Sequence, residues 1–146
     1  MPWITNVDLK SLSTRLHNSG WKGSQPPYIF AVFYSETCPV CKKAIVILRR
    51  MYKEAEDTDR LNVLLINAEN PEVSQFLKYK QGTDDVQVPY IILYKSGYFV
   101  KSWLGITPQF FEIGEIMANI VHGQNLKLSR KQLEQGREKI EVADVH

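Results

Sequence analysis

The sequence predicts an α/β domain, with a central mixed sheet of four or five strands, helices on both faces and a helical C-terminal tail. Three observations lead there. A short, continuous apolar run at 28–34 and a second, mostly apolar one at 61–67 are separated by an amphipathic stretch. That is the pattern of strands buried on both faces and joined by a helix. Two further strand-like runs flank Lys95-Ser-Gly97, a hairpin signal. The 146 residues, 44% hydrophobic and 23% charged, suit one domain whose core needs no covalent staple.

Each element follows in order. Thr5 and Asn6 are helix-capping types, and 7–18 places Leu9, Leu12 and Leu16 on one helical face. Residues 20–27, rich in Gly, Ser, Gln and Pro, read as a loop. Tyr28-Ile-Phe-Ala-Val-Phe-Tyr34 reads as a buried strand, and 42–56 as a helix with Ala44, Ile45, Leu48, Met51 and Tyr52 on its apolar face. Leu61-Asn-Val-Leu-Leu-Ile-Asn67 is the second buried strand. Asn70-Pro71 opens a helix carrying Val73, Phe76, Leu77 and Lys80. A polar connection at 81–87 leads to the hairpin strands 90–94 and 98–104, ended by Gly105. Thr107-Pro108 starts the last core helix, with Phe111, Ile113, Ile116 and Ile120 apolar. Trp3-Ile4 supplies the fifth strand if it pairs at an edge. The strands around the first crossover should be parallel, and the hairpin adds antiparallel ones.

The domain is expected to cover 1–123, with a charged tail at 124–146. Leu126, Leu133 and Ile140 recur at seven-residue intervals in that tail, as one stripe of a docking helix would. Gly136 interrupts the pattern, and the favoured reading is a frayed helix with a disordered end.

Composition excludes several functions. A formal net charge of +2 argues against dedicated nucleic-acid or membrane binding. No apolar stretch approaches the length of a membrane span. The opening residues lack the basic and apolar regions of a secretory signal, so a cytoplasmic location is expected.

The two cysteines, Cys38 and Cys41, are the only ones in the chain. A bridge between them closes a very small loop and is a poor staple, which leaves redox chemistry or metal binding. Their position strengthens the redox reading. They lie between a buried strand and a helix, with Cys38 at the cap and Pro39 at the first helical position, where its missing N–H costs nothing. Unpaired N–H groups and the positive end of the helix favour negative charge on the Cys38 sulfur. Cys41 lies one turn further on, within reach of a mixed disulfide formed at Cys38.

These residues resemble the thioredoxin family over 28–121. Phe30-Ala-Val-Phe-Tyr-Ser-Glu-Thr-Cys-Pro-Val-Cys-Lys42 is similar to the family's strand, active-site loop and helix. Asn70-Pro71, Val88-Pro89, Lys95-Ser-Gly97 and Gly105 fall in the family's order. The resemblance implies a thioredoxin-like fold and protein-disulfide oxidoreductase activity. Cys38 and Cys41 would be catalytic, and Thr37, Pro39 and Val40 would form the active-site loop. A cis Val88-Pro89 bond would lie beside the cysteines, with the Val88 backbone pairing with substrate. It also implies disulfide-containing protein substrates, a thioredoxin-reductase-type or glutathione electron donor, a monomer, and neither cofactor nor metal.

The resemblance has gaps. Thr37 stands where the family has Trp, and Pro39-Val40 where it has Gly-Pro. Val32 and Leu64 replace a buried Asp and its Lys partner, and Val46 replaces a kinking Pro. Without that Asp, Glu36 is the nearest candidate base for Cys41, although a solvated loop carboxylate is the commoner role for such a residue. Cys-Pro-Val-Cys is expected to raise the potential from about −270 mV toward about −200 to −230 mV. Gln87-Val-Pro only partly resembles the Thr-Val-Pro of glutaredoxins, so no glutathione site follows.

Three other readings compete. Zinc needs two more ligands, and His17, His122 and His146 show no ligand spacing. A non-catalytic binding module on the same scaffold could use Trp3, Trp21, Trp103, Tyr98 and Phe99 as an aromatic face, though core packing is the commoner use of such residues. A Cys-His hydrolase lacks a signposted second group.

Overall fold

The computed structural model describes residues 3–19, 26–53 and 59–140. The expected loop at 20–25, the helix end at 54–56, Trp21 and the last tail residues including His146 lie outside them.

The sheet has five strands, β1 (Trp3–Ile4), β2 (Tyr28–Tyr34), β3 (Leu61–Asn67), β4 (Tyr90–Lys95) and β5 (Tyr98–Leu104), in the order β1-β3-β2-β4-β5. β1 and β2 pair with β3 in parallel, while β4 and β5 run antiparallel. The sheet is therefore mixed, and Trp3-Ile4 does form its edge. Both faces of β2 and β3 are buried, which is why their sequences are largely apolar rather than alternating, Asn62 being the polar residue buried in β3.

One face packs on α2 (Pro39–Lys53) and α4 (Glu112–Val121) through Ala44, Leu48, Ile113, Met117 and Ile120. The other packs on α1 (Leu9–His17) and α3 (Pro71–Gln81) through Leu9, Leu12, Leu16, Val73 and Leu77. Each fully buried aliphatic or aromatic side chain contributes about 1.5–3 kcal/mol.

Two local expectations shift. The cap of α1 is Asp8, whose carboxylate accepts from the Ser11 N–H at 2.7 Å, not Thr5 or Asn6. The Val7 N–H donates to the Leu65 carbonyl at 3.1 Å, so sheet-like pairing continues past β1 and delays the helix. After Thr107, the chain first makes a 3₁₀ turn at Pro108–Phe111. Its tighter winding turns Phe110 into the core and leaves Phe111, the residue expected there, 54% exposed.

Residues 124–140 lie along the domain, and the end of the tail beyond them falls outside the described residues. Leu126 donates its N–H to the Tyr28 hydroxyl at 2.8 Å, and its carbonyl accepts from Lys95. A short helix, α5 (Arg130–Gln135), carries a capping box between Ser129 and Gln132. Gln132 also donates to the Val100 carbonyl at 3.0 Å. The Arg137 guanidinium donates to the carbonyls of Ser96, Leu16, His17 and Ser19, fastening the hairpin turn to the C-terminal end of α1. Glu138 accepts from the buried Tyr94 hydroxyl at 3.0 Å and pairs with Lys80 at 2.6 Å. The docking is both polar and apolar, since Leu126 packs against the core on the α2 and α4 side and Ile140 against it on the α1 and α3 side. Leu133, the middle of the seven-residue stripe, is 52% exposed.

Candidate active site

The C-terminal ends of β2 and β3 and the start of β4 meet at one edge of the sheet. Strand order makes this a switch point, where the chain leaves β2 for α2 on one face and β3 for α3 on the other. Ser35, Glu36 and Thr37 carry the chain off β2. The Cys38 N–H donates to the Ser35 carbonyl at 3.2 Å, and the Lys42 N–H to the Cys38 carbonyl at 3.2 Å, so Cys38 takes the capping place and Pro39 the first helical one.

No bridge joins Cys38 and Cys41 in the structure. Cys38 is half-buried at the helix tip, and the backbone N–H of Cys41 donates to its sulfur at 3.1 Å. Cys41 is fully buried one turn behind. Burial first, then its hydrogen bond with Cys38, push the Cys41 thiol up to about 12, while backbone hydrogen bonds from Ser35 and its own N–H pull the other way. Val32, where the resemblance places a buried Asp, is fully buried and packs with the apolar face of α2.

The Val88-Pro89 peptide is cis. Pro89 is buried, Val88 half-buried, and the Val88 carbonyl lies 4.0 Å from the Cys38 sulfur. The Gly105 N–H donates to the Pro89 carbonyl at 2.9 Å, which ties the end of β5 to this corner. Thr37, Pro39 and Val40 are exposed around the cysteine pair. Cys38, Cys41, Val88 and Pro89, distant in sequence, are thus brought together.

Glu36 is exposed and is not among the groups that shift Cys41. A different carboxylate engages the loop. Glu69, just past β3, accepts from the Ser35 hydroxyl at 2.5 Å and from the Thr37 hydroxyl at 3.5 Å. Glu36 and Glu69 both flank Tyr34, whose hydroxyl is pushed up by burial and then by those two charges. Sequence reasoning missed Ser35 and Glu69. The available signal was topological: in adjacent parallel strands with Tyr34 opposite Asn67, the residues just beyond each strand end must meet.

Among the described residues, the aromatics proposed as a binding face do not share one place. Trp103 is buried in the core and Trp3 packs on Tyr52 with ring centroids 5.5 Å apart, while Phe99 lies under the Lys80 ammonium at 4.9 Å. No group of three or more potential ligands that could hold a metal ion occurs among the described residues, and none of their helices is long and apolar enough to cross a membrane.

No family model matches the chain, and no curated protein matches it by sequence at a significant level. Solved structures do match. Plasmodium falciparum thioredoxin superposes with a TM-score of 0.56 at 16% identity, covering 79% of this chain and 96% of its own. Thioredoxin f2 of Chlamydomonas reinhardtii gives 0.56 at 18%, covering 86% and 99%. The reduced thioredoxin pre-protein of Schistosoma mansoni gives 0.57 at 15%, covering 82% and 99%. The chain has a thioredoxin-like fold. Residues 124–140 pass beside the hairpin turn and the start of β2, at the end of the sheet away from the cysteines.

Proposed function

We propose that the protein carries out thiol–disulfide exchange, chiefly the reduction of protein disulfides. The single observation that carries this reading is the pairing of a half-exposed Cys38 sulfur, held by a backbone N–H at the tip of α2, with a buried Cys41 thiol hydrogen-bonded to it. Cys38 as thiolate attacks one sulfur of a substrate disulfide. The substrate S–S bond breaks, a mixed disulfide forms, and the departing thiolate takes up a proton. Cys41 then gives up its proton and attacks the Cys38 sulfur. The mixed disulfide breaks, the second substrate thiol leaves, and the Cys38–Cys41 bridge remains. Two electrons have passed from the dithiol to the substrate, and a thioredoxin-reductase-type protein or glutathione returns them.

Thr37, Pro39 and Val40 form the exposed rim of the site. Val88 offers its backbone to an extended substrate strand beside the cysteine pair, and Pro89 shapes that corner. The working form is a monomer in a reducing, cytoplasm-like compartment, where a dithiol of this kind stays reduced.

A second reading is favoured by one observation. The groups that shift Cys41 include no carboxylate to take its proton. A slow resolving thiol suits a binding or accessory module that engages partners through Cys38 and releases them slowly.

Insulin reduction with dithiothreitol decides between them. Exchange predicts catalysis that is lost in Cys38→Ser, whereas equal rates for wild type and Cys38→Ser leave only the module. The midpoint potential in a glutathione buffer sets the direction. A value near thioredoxin's about −270 mV indicates a reductase, and one well above it an isomerase or oxidase.

A further inference from the structure

We infer that Glu69 is a positioning residue of the redox site, acting on the cysteines through the hydroxyls of Ser35 and Thr37. The inference rests on the exchange reading for its purpose, but its geometry stands by itself. A serine has one hydroxyl proton to donate. Ser35 gives it to the Glu69 carboxylate at 2.5 Å, so Thr37 is the donor in the 3.1 Å contact between the two hydroxyls and shares its single proton between that contact and the longer 3.5 Å one to Glu69. The Ser35 oxygen also accepts the Thr37 backbone N–H at 3.4 Å. A directed chain therefore runs from Thr37 to Ser35 to Glu69 and ends on a charge, which makes its last link short and strong.

Both ends of that chain are fixed. The Glu69 N–H donates to the Asn67 side-chain oxygen at 2.9 Å, and the Ala68 N–H to the Tyr34 carbonyl at 2.7 Å, locking the turn after β3 to the end of β2. At the other end, Ser35 touches both cysteines through its backbone. Its carbonyl accepts the Cys38 N–H at 3.2 Å, and its backbone also hydrogen-bonds the Cys41 sulfur. Ser35 is thus the one loop residue bonded at the same time to Glu69, Cys38 and Cys41. Thr37 is too small to pin the loop by packing, so the carboxylate clasp holds it instead.

Because Glu69, Ser35 and Thr37 sit at the surface, breaking the clasp should alter the sulfurs more than the fold. The test is the rate at which iodoacetamide alkylates Cys38 in the fully reduced protein at fixed neutral pH. The proteins compared are wild type, Glu69→Ala, Ser35→Ala and Glu69→Gln, with thermal melts alongside. Glu69→Gln removes the charge but keeps an oxygen in reach of the Ser35 hydroxyl. Glu69→Ala and Ser35→Ala should slow alkylation about fivefold, equivalent to about 1 kcal/mol. Glu69→Gln should stay within about twofold of wild type, which is under about 0.5 kcal/mol.

Three results overturn the inference: all variants matching wild type, Ala and Gln at Glu69 behaving alike, or a fall in Tm with no change in alkylation. Insulin reduction by the wild-type protein is measured in parallel. Its failure removes the exchange reading, while the alkylation ratios still decide the role of Glu69.

Discussion

The backbone N–H of Cys41 points at the sulfur of Cys38 from 3.1 Å, so the two cysteines are held in unequal surroundings by one turn of helix. One sulfur faces outward from the helix tip, and the other has no exposed surface. Alkylation of the native, reduced protein should therefore label Cys38 alone, with Cys41 reacting orders of magnitude more slowly until the chain is unfolded. Peptide mapping by mass spectrometry reads this directly, and comparable labelling of both cysteines would sink the assignment of roles. In the same arrangement, Cys41→Ser should accumulate a mixed disulfide on Cys38 that dithiothreitol releases.

The buried thiol also has a thermodynamic signature. In the folded protein Cys41 holds its proton to about 12, against an ordinary value of 9.0. Between those values the unfolded chain has lost the proton and the native state still binds it. Stability is then fully present below about pH 9 and falls as pH rises toward about 12. Tyr34 and Tyr94, both raised above 10.0, add losses of the same sign at the upper end. Denaturation curves of reduced wild type and Cys41→Ser should diverge in relative stability across that window. Parallel curves would show that the thiol is not held protonated.

The two neighbouring phenylalanines after Thr107 should respond very differently to truncation. Phe110 is fully buried, whereas Phe111 is 54% exposed and meets Phe110 only edge-on, with ring centroids 5.8 Å apart. Phe110→Ala should cost about 3–5 kcal/mol. Phe111→Ala should cost about 1 kcal/mol or less. Urea denaturation of both variants checks the order, and equal losses would contradict the 3₁₀ turn.

That pair marks where sequence reasoning ran out. Residues 28–34 and 61–67 were legible because short, strongly apolar, β-branched and aromatic runs bounded by turn residues leave few alternatives to buried strands. Pro39 after Cys38 fixed the helix start, and the order of Asn70-Pro71, Val88-Pro89 and Gly105 placed the remaining landmarks. Helical phase could not choose between Phe110 and Phe111, since a tighter first turn changes which side faces inward. Glu69 and Ser35 were invisible as partners because neither carries a pattern. They meet only through the pairing of Tyr34 with Asn67. Arg137 and Glu138 carry no signal within the charged tail because their partners exist only after folding: four backbone carbonyls and a buried tyrosine hydroxyl.

The boundary at 123/124 is open to the same kind of test. A chain ending at residue 123 keeps every sheet strand and α1 to α4. It loses the Leu126 contacts with Tyr28 and Lys95, and it leaves the Tyr94 hydroxyl without Glu138. A buried hydroxyl stripped of its partner costs about 1–3 kcal/mol, so the shortened chain should fold with a clearly lower Tm. Circular dichroism melts would decide. An unchanged Tm would mean that 124–140 contributes nothing to stability, and failure to fold would mean that 1–123 is not a domain by itself.

The sharpest test of the docked segment is the coupling between Gly97 and Arg137. Gly97 sits at φ +86°, where a side chain is strained, and a Cβ there would lie 2.6 Å from Arg137 Nε and 2.8 Å from Nη2. Gly97→Ala should therefore cost about 1–3 kcal/mol in backbone strain alone. It should also expel the guanidinium, which can swing away only by giving up the carbonyls of Ser96, Leu16, His17 and Ser19. Arg137→Ala should lose those same bonds, at about 1–3 kcal/mol. Arg137→Lys should recover little, because one ammonium does not reproduce a planar fork of donors. Since both substitutions remove one set of contacts, the double variant should be more stable than the sum of the singles implies, by about 1 kcal/mol or more. Additivity within about 0.5 kcal/mol would show that the guanidinium does not occupy that place in solution.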